Sequence, residues 1–479
     1  MKARAAALSL LVFVLAGCFG SDPSPRSSST LDVTFVDSDG NGVLEQGPGE
    51  PLRDRTELAP RSKPGKVLAV FAQLTDAHVT DEESPARVEM LDRLGTPFTS
   101  AFRPQEALTG QVLDAVVRSV NRLRPDGVVV TGDLVDNAQA NELRQALGIL
   151  RGGEVDPGSG GAAYEGVQAA DNPDPFYYRP EVDPPAEPGL LREAGQSFVA
   201  AGLKIPWYPL VGNHDLLVQG NVPSTMRIER IAVGSRKVVR LDPSVREAVS
   251  GRRLSPTRLD RLLATGLPGD SIAVSPDPAR RQLAPAELLS RLRAASGIGG
   301  RGPLLDYTFD LGADIRGIAL DTVRRDGGAG GIIRPVQVRW LQQAVAEAGD
   351  RWIVVFSHDP LTRSGTEAAL AVLDASPRVL AAIAGDSHRN SIAPRRTAAG
   401  GYWLVTTSSL VDYPQQARAF RLRDAEGDGV LLETWMLDHD DSSSRAARVS
   451  RELAFLDYQG GRPGRFTGSR RDRNARLYR

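Results

Sequence analysis

Four of the five histidines in the sequence, His78, His214, His358 and His388, stand just past short apolar runs, and each has an Asp or Asn within two residues. Imidazole nitrogens with carboxylate and amide oxygens form a donor set suited to Zn, Fe, Mn or Ni. Asp76 and His78 are two apart at what reads as an extended strand end, so their side chains would share a face and could hold one cation. Asp133 has two carboxylate oxygens, enough to bridge two cations. Asn213 adds a neutral amide oxygen, and His358 and His388 add imidazole nitrogen. Two cations about 4 Å apart clamp a phosphoryl group and acidify a water between them. The fifth histidine, His439, follows the apolar run 430–437 and reads as solvated.

The elements needed to position these groups are legible as well. Residues 67–74, 127–131, 207–211, 352–357 and 379–384 are nearly continuous apolar runs, the pattern of strands buried on both faces. They empty into Thr75-Asp76-Ala77-His78, Gly132-Asp133, Gly212-Asn213-His214-Asp215, His358 and Gly385-Asp386-Ser387-His388. Leu108, Val112, Val116, Val117, Val120 and Leu123 follow helical spacing, and 138–150 predicts a second helix. Strands alternating with helices predict an α/β fold with its ligand site past the carboxyl ends of the strands. Runs at 307–309, 315–320, 403–407 and 430–437 read as further strands, the last two completing a second sheet, with a helix around Gln337, Trp340, Leu341 and Val345.

In order and strand context, Asp76-x-His78, Gly132-Asp133-x-x-Asp136-Asn137, Gly212-Asn213-His214-Asp215, His358 and Gly385-x-x-His388 resemble the motifs of the calcineurin-like metallophosphoesterase superfamily. The resemblance implies two packed mixed β-sheets flanked by helices, an αββα sandwich, and a centre of two divalent metal ions (Mn, Fe or Zn). It puts Asp76, His78 and His388 on the first metal, Asp133 as the bridge, and Asn213 and His358 on the second metal. It makes His214 the general acid that protonates the leaving oxygen, oriented by Asp136, while a metal-bridging hydroxide attacks from the opposite side. Asp136 is also placed to cap the following helix.

One position departs from the family's pattern: Asp386 stands where the last motif, Gly-His-x-His, has its first histidine. As a second-metal ligand it would lower the charge of the centre by one, giving a less acidic water and weaker phosphate attraction. An outer role through water and a degraded second site are the alternatives. Two insertions, at about 151–205 and 216–303, exceed ordinary connections. The second carries a basic stretch from Arg227 to Arg261, a solvated basic face or a cap for an anionic substrate.

Lys+Arg 58 against Asp+Glu 59 leaves a net charge of -1, so no global field attracts nucleic acid, and none is expected as a partner. Cys18 is the only cysteine, which excludes an internal disulfide and a four-cysteine zinc site. It follows Lys2, Arg4 and an apolar run at 5–16 that is shorter than the roughly 20 residues needed to span a membrane. This reads as an export signal, and Leu15-Ala16-Gly17-Cys18 resembles the lipobox of bacterial lipoproteins. The expected organisation is a signal peptide at 1–17, a lipidated Cys18 with a flexible tether at 18–30, a catalytic domain at 31–459 and a loose basic tail at 460–479. Within the domain, Asp37-Ser38-Asp39-Gly40-Asn41-Gly42 resembles the start of a calcium loop, but Pro48 occupies the position of the closing carboxylate, which favours a plain turn.

These readings converge on an exported, lipid-anchored phosphoesterase acting on a small phosphomonoester or phosphodiester, extracytoplasmic and attached to a bacterial membrane. The alternatives are a non-catalytic, metal-containing surface binding protein and an extracytoplasmic nuclease. No protein partner is inferred.

Overall fold

The apolar runs become the central strands of two mixed sheets packed face to face. The computed structural model describes residues 28–95, 98, 101–249, 261, 263–264, 266–363, 365–426, 429–440, 442, 444–459 and 466–479. One sheet has seven strands in the order Arg53–Arg55, Ala475–Tyr478, Val430–Asp438, Gln416–Ala425, Pro64–Leu74, Gly127–Thr131, Trp207–Leu210. The other has six, in the order Tyr307–Leu311, Ile315–Leu320, Trp352–Ser357, Val379–Ala384, Tyr402–Thr406, Ser391–Arg395. Between them Phe71, Val129 and Phe420 meet Phe309, Val354 and Phe356. Phe71 stacks on Phe420 with centroids 4.7 Å apart and meets Phe356 edge-on at 6.0 Å.

The outer face of each sheet is covered by helices. Thr109–Leu123 buries Val112, Val116, Val117 and Val120 against the seven-stranded sheet, each contributing about 1.5–3 kcal/mol. Ala140–Arg151 packs beside it, and Pro335–Glu347 and Glu367–Asp374 cover the six-stranded sheet. This is the expected sandwich.

The strand 430–438 belongs to the seven-stranded sheet and not to the second one. The reason is Gln416–Ala425, which pairs antiparallel with Pro64–Leu74 on one side (Phe420 opposite Phe71) and with Val430–Asp438 on the other (Phe420 opposite Thr434). Its arginines obscure it as a strand in the sequence. Arg418 is nonetheless fully buried, donating to Thr407 Oγ1, Asn390 Oδ1 and the carbonyls of Asp472 and Arg473.

The described parts of both expected chain-end segments, 28–30 and 466–479, are ordered. Thr30 is buried, and its N–H donates to the Met436 carbonyl at 3.0 Å, so residues 28–30, expected as the end of the tether, are docked on the sheet. Cys18 and the signal segment lie outside the described residues. From Phe466 onward the basic tail is not loose, because Ala475–Tyr478 pairs with Val430–Asp438 and with Arg53–Arg55. Alternation decides this: Ala475 and Leu477 face the core, while Arg476 between them pairs with Glu433. Leu477→Ala is therefore expected to cost about 2–5 kcal/mol in equilibrium denaturation, whereas a loose tail would give no change.

His439 is likewise buried, with Arg451 Nη2 donating to its Nδ1 at 3.1 Å. Burial and that guanidinium hold its pKa well below the usual histidine value, so it is neutral. The segment 37–42 forms a turn between Val33–Val36 and Glu45–Pro48, in which Asp37 accepts from the N–H groups of Asn41 and Gly42, each at 3.0 Å.

The insertions dock on the core. Helix Pro285–Ser296, inside the second one, buries Leu288, Leu289 and Leu292 against the same cluster as Leu143 and Leu147. Strand Arg236–Leu241 sends Lys237 inward, where it donates to Glu89 Oε1 at 2.6 Å and to two backbone carbonyls. Part of the basic stretch is thus a buried anchor and not a solvated face.

Candidate metal centre

The strands stop short of the donors, and the backbone turns sharply at five of the seven. Asp76, His78, Asp133, Asp386 and His388 all have positive φ, between 45° and 62°. That left-handed region is costly for non-glycine residues, by about 1–3 kcal/mol each, and such strain concentrates at functional sites. Asp76 and His78 therefore do not share a face through extended geometry, as their spacing predicts. Their N–H groups donate to the carbonyls of Gly132 and Asp133, each at 3.0 Å, and the turns aim both side chains at one point.

Around that point the donor atoms form two overlapping groups. In the first, His78 Nε2 lies 3.3 Å from His388 Nε2 and 3.6 Å from Asp133 Oδ2, and His388 Nε2 lies 3.4 Å from Asp76 Oδ1. In the second, His358 Nε2 lies 3.1 Å from Asn213 Oδ1, 3.3 Å from Asp133 Oδ2 and 3.5 Å from Asp386 Oδ1. Asp133 Oδ2 belongs to both. Its other oxygen accepts from the His214 N–H at 2.8 Å.

Each inward imidazole is oriented from behind. His78 Nδ1 lies 2.9 Å from Asp136 Oδ1, His358 Nδ1 2.9 Å from the Thr131 carbonyl, and His388 Nδ1 2.5 Å from Asp412 Oδ2. With a proton on each Nδ1, the three Nε2 lone pairs face inward, the arrangement that metal-ligating histidines adopt. Asn213 Nδ2 donates to the Gly220 carbonyl at 3.0 Å, which turns its oxygen inward too. Gly220 has φ of 65°, and a Cβ there would collide with Asn213 and the His214 ring.

Lone pairs and carboxylates brought this close repel one another unless a cation or protons lie between them. Burial alone would lower the pKa values of His358 and His388. The Asp133 carboxylate raises His358 well above its usual value, and Asp412 and Asp76 raise His388 to about 10. Without metal, protons take the place of cations, and the donor set fits divalent metal ions.

Asp136 does not cap the next helix: Gln139 precedes its first turn, and Glu142 closes that end by accepting from the Asn137 N–H at 2.9 Å. Asp136 instead contacts His78, the ring of His214 (Nδ1 to Oδ1, 3.3 Å), Gln219 and Arg87. Burial opposes its ionisation, but Arg87 and the two histidines hold it well below the usual carboxylate range. His214 Nδ1 lies 2.8 Å from the Asp136 carbonyl, and its side chain is 22% exposed. Burial lowers its pKa, while Asp133 and Asp136 raise it, to about 9. His214 also lies within metal-ligand reach of His78 and Asp133.

Several residues of the centre carry no marker in the sequence. Arg87 pairs with Asp136 and Glu106, and Arg103 pairs with Asp412 at 2.6 Å. Neither lies at the end of a core strand. Asp412 was within reach of sequence reasoning, since it follows strand Tyr402–Thr406 in the same sheet as His358 and Asp386. Arg363, which pairs with Asp386, was not.

Two mixed sheets with helices outside and a cluster of His, Asp and Asn donors past the strand ends define a metal-centred phosphoesterase architecture. The chain belongs to the calcineurin-like phosphoesterase family, whose model matches residues 70–390, and it is accordingly a hydrolase of the phosphatase-like class. Similar solved structures include a dimetal phosphatase from Danio rerio, at 14% identity over 78% of this chain and 100% of that one, with a TM-score of 0.39. A purple acid phosphatase from yellow lupin seeds shows 11% identity over 82% and 54% of the two chains, TM-score 0.35. A sulfate thiohydrolase from Thermus thermophilus shows 11% over 84% and 62%, TM-score 0.31. No curated protein matches the chain.

Proposed function

We propose that this protein is an exported, lipid-anchored phosphoesterase that holds two divalent cations, Mn, Fe or Zn, and hydrolyses a small phosphomonoester or phosphodiester. The observation that carries this reading is the convergence of three Nδ1-anchored imidazoles and four side-chain oxygens on two positions that share Asp133 Oδ2. Divalent cations there supply Lewis acidity toward the phosphoryl oxygens and an activated water.

Asp76, His78 and His388 serve the first cation, Asn213, His358 and Asp386 the second, and Asp133 both. As the bridge, Asp133 stays ionised, since burial opposes the charge but His358 and His214 hold its pKa far below the usual range. His214 keeps its Nδ1 on the Asp136 carbonyl, which leaves Nε2 to donate a proton to the departing oxygen.

Elemental analysis of the purified protein, followed by assays on matched aryl phosphate mono- and diesters, tests the reading. Two equivalents of metal with chelator-sensitive turnover are expected. Bound metal without turnover would favour a surface binding protein, and absence of both would overturn the proposal.

Export rests on the segment ending in Leu15-Ala16-Gly17-Cys18. Cys18→Ser is expected to abolish acyl attachment and release an active catalytic domain from the membrane fraction. Variant protein that still carries a lipid chain would refute the anchor.

A further inference from the structure

Asp386 is held differently from the other two carboxylates of the centre. The outer oxygen of Asp76 accepts from Thr75 Oγ1 at 2.5 Å and from the Asp386 N–H at 3.1 Å, and that of Asp133 accepts from a backbone N–H. These donors are neutral. The outer oxygen of Asp386, Oδ2, is ion-paired with Arg363 Nη2, while Oδ1 faces His358 Nε2. Arg363 is itself tied down: its Nη1 donates to Asp359 Oδ1 at 2.8 Å, and Asp359 Oδ2 accepts from Thr322 Oγ1 at 2.9 Å. The guanidinium thus spans Asp359, next to His358 in the chain, and Asp386, which follows the neighbouring parallel strand.

A carboxylate differs from an imidazole as a ligand in two ways. It has two equivalent oxygens on a rotatable bond, so one must be occupied for the other to be aimed. It also brings a full negative charge, which places three carboxylates, Asp76, Asp133 and Asp386, around the centre. A guanidinium answers both, because it holds one oxygen in fixed geometry and removes one unit of net negative charge.

We propose that Arg363 is a positioning residue for the second cation: by engaging Asp386 Oδ2 it directs Oδ1 toward the position shared with His358 and Asn213 and compensates the third carboxylate. The inference rests on the two-cation reading of the centre. Lysine would not substitute fully, since one ammonium cannot span Asp359 and Asp386 as two separate Nη atoms do.

The test is a double-mutant cycle read by metal binding, with Mn and Zn titrated into metal-free protein and stoichiometry and Kd measured by calorimetry. Arg363→Gln is expected to weaken the second equivalent about 10- to 100-fold, the range seen when a ligand's supporting partner is removed, while the first equivalent is retained. Arg363→Lys should recover part of that loss. In an Asp386→His background, where the ligand has a single inward nitrogen and no charge to compensate, Arg363→Gln should change the second Kd by less than about twofold.

Two tight equivalents in the parent with an unchanged second Kd in Arg363→Gln would overturn the role of Arg363 and leave the two-cation reading standing. An equal loss in both backgrounds would reduce Arg363 to a structural part and also overturn it. Fewer than two equivalents in the parent would remove the two-cation reading itself, and the inference with it. Arg363→Lys supplies the comparison if the glutamine variant does not fold.

Discussion

Asp133→Asn is expected to lower kcat/KM on an aryl phosphate by at least about 1,000-fold and to release one of the two metal equivalents on dialysis. Asp133 Oδ2 approaches both donor groups, at 3.6 Å from His78 Nε2 and 3.3 Å from His358 Nε2. The amide is isosteric but uncharged, and one of its two positions bears N–H groups. Oδ1 accepts from a backbone N–H, so the amide oxygen would settle there and the NH2 group would turn toward the positions proposed for the cations. Lewis-acid stabilisation amounts to several kcal/mol, and each 1.36 kcal/mol is a factor of ten in rate. The fold should persist, because the substitution removes a buried charge without changing volume. Near-normal turnover with two metals bound would show that Asp133 is not the bridge.

His214→Ala should separate proton transfer from metal binding. The expected result is full metal content with kcat reduced roughly 100- to 10,000-fold, the usual contribution of a general acid. The defect should shrink as the leaving group becomes more acidic, since a good leaving group departs without a proton. His214 is tied to the Asp136 carbonyl and partly exposed, so truncation opens space toward solvent and leaves the three anchored imidazoles in place. A parallel loss of metal would place His214 among the ligands with His78 and Asp133, whose donor atoms it can reach.

Much of the fold was legible because the decisive segments carry strong local signals. The runs at 127–131, 352–357 and 379–384 are strands over those same residues. Helix 109–123 follows its valine spacing. What escaped was strand formation in charged segments. Gln416–Ala425 and Ala475–Tyr478 carry arginines whose partners lie far off in sequence, so local composition reads them as solvent-facing. His439 escaped for the same reason, since its burial depends on Arg451 and the helix Arg445–Gln459.

At the centre, the sequence by itself determined which donors are available and that they leave successive strand ends, because strand burial and strand termination are local properties of an apolar run and the polar residues after it. Tertiary structure alone decided which atom of each donor faces inward. The Nδ1 partners Asp136, Thr131 and Asp412 reach His78, His358 and His388 across strands or between loops, at separations in the chain that no local pattern encodes. Asp386 shows the division most plainly. Its place after strand Val379–Ala384 is readable, but its orientation depends on Arg363, which reaches it only because the strands before His358 and Asp386 pair in parallel and bring the loops that follow them side by side.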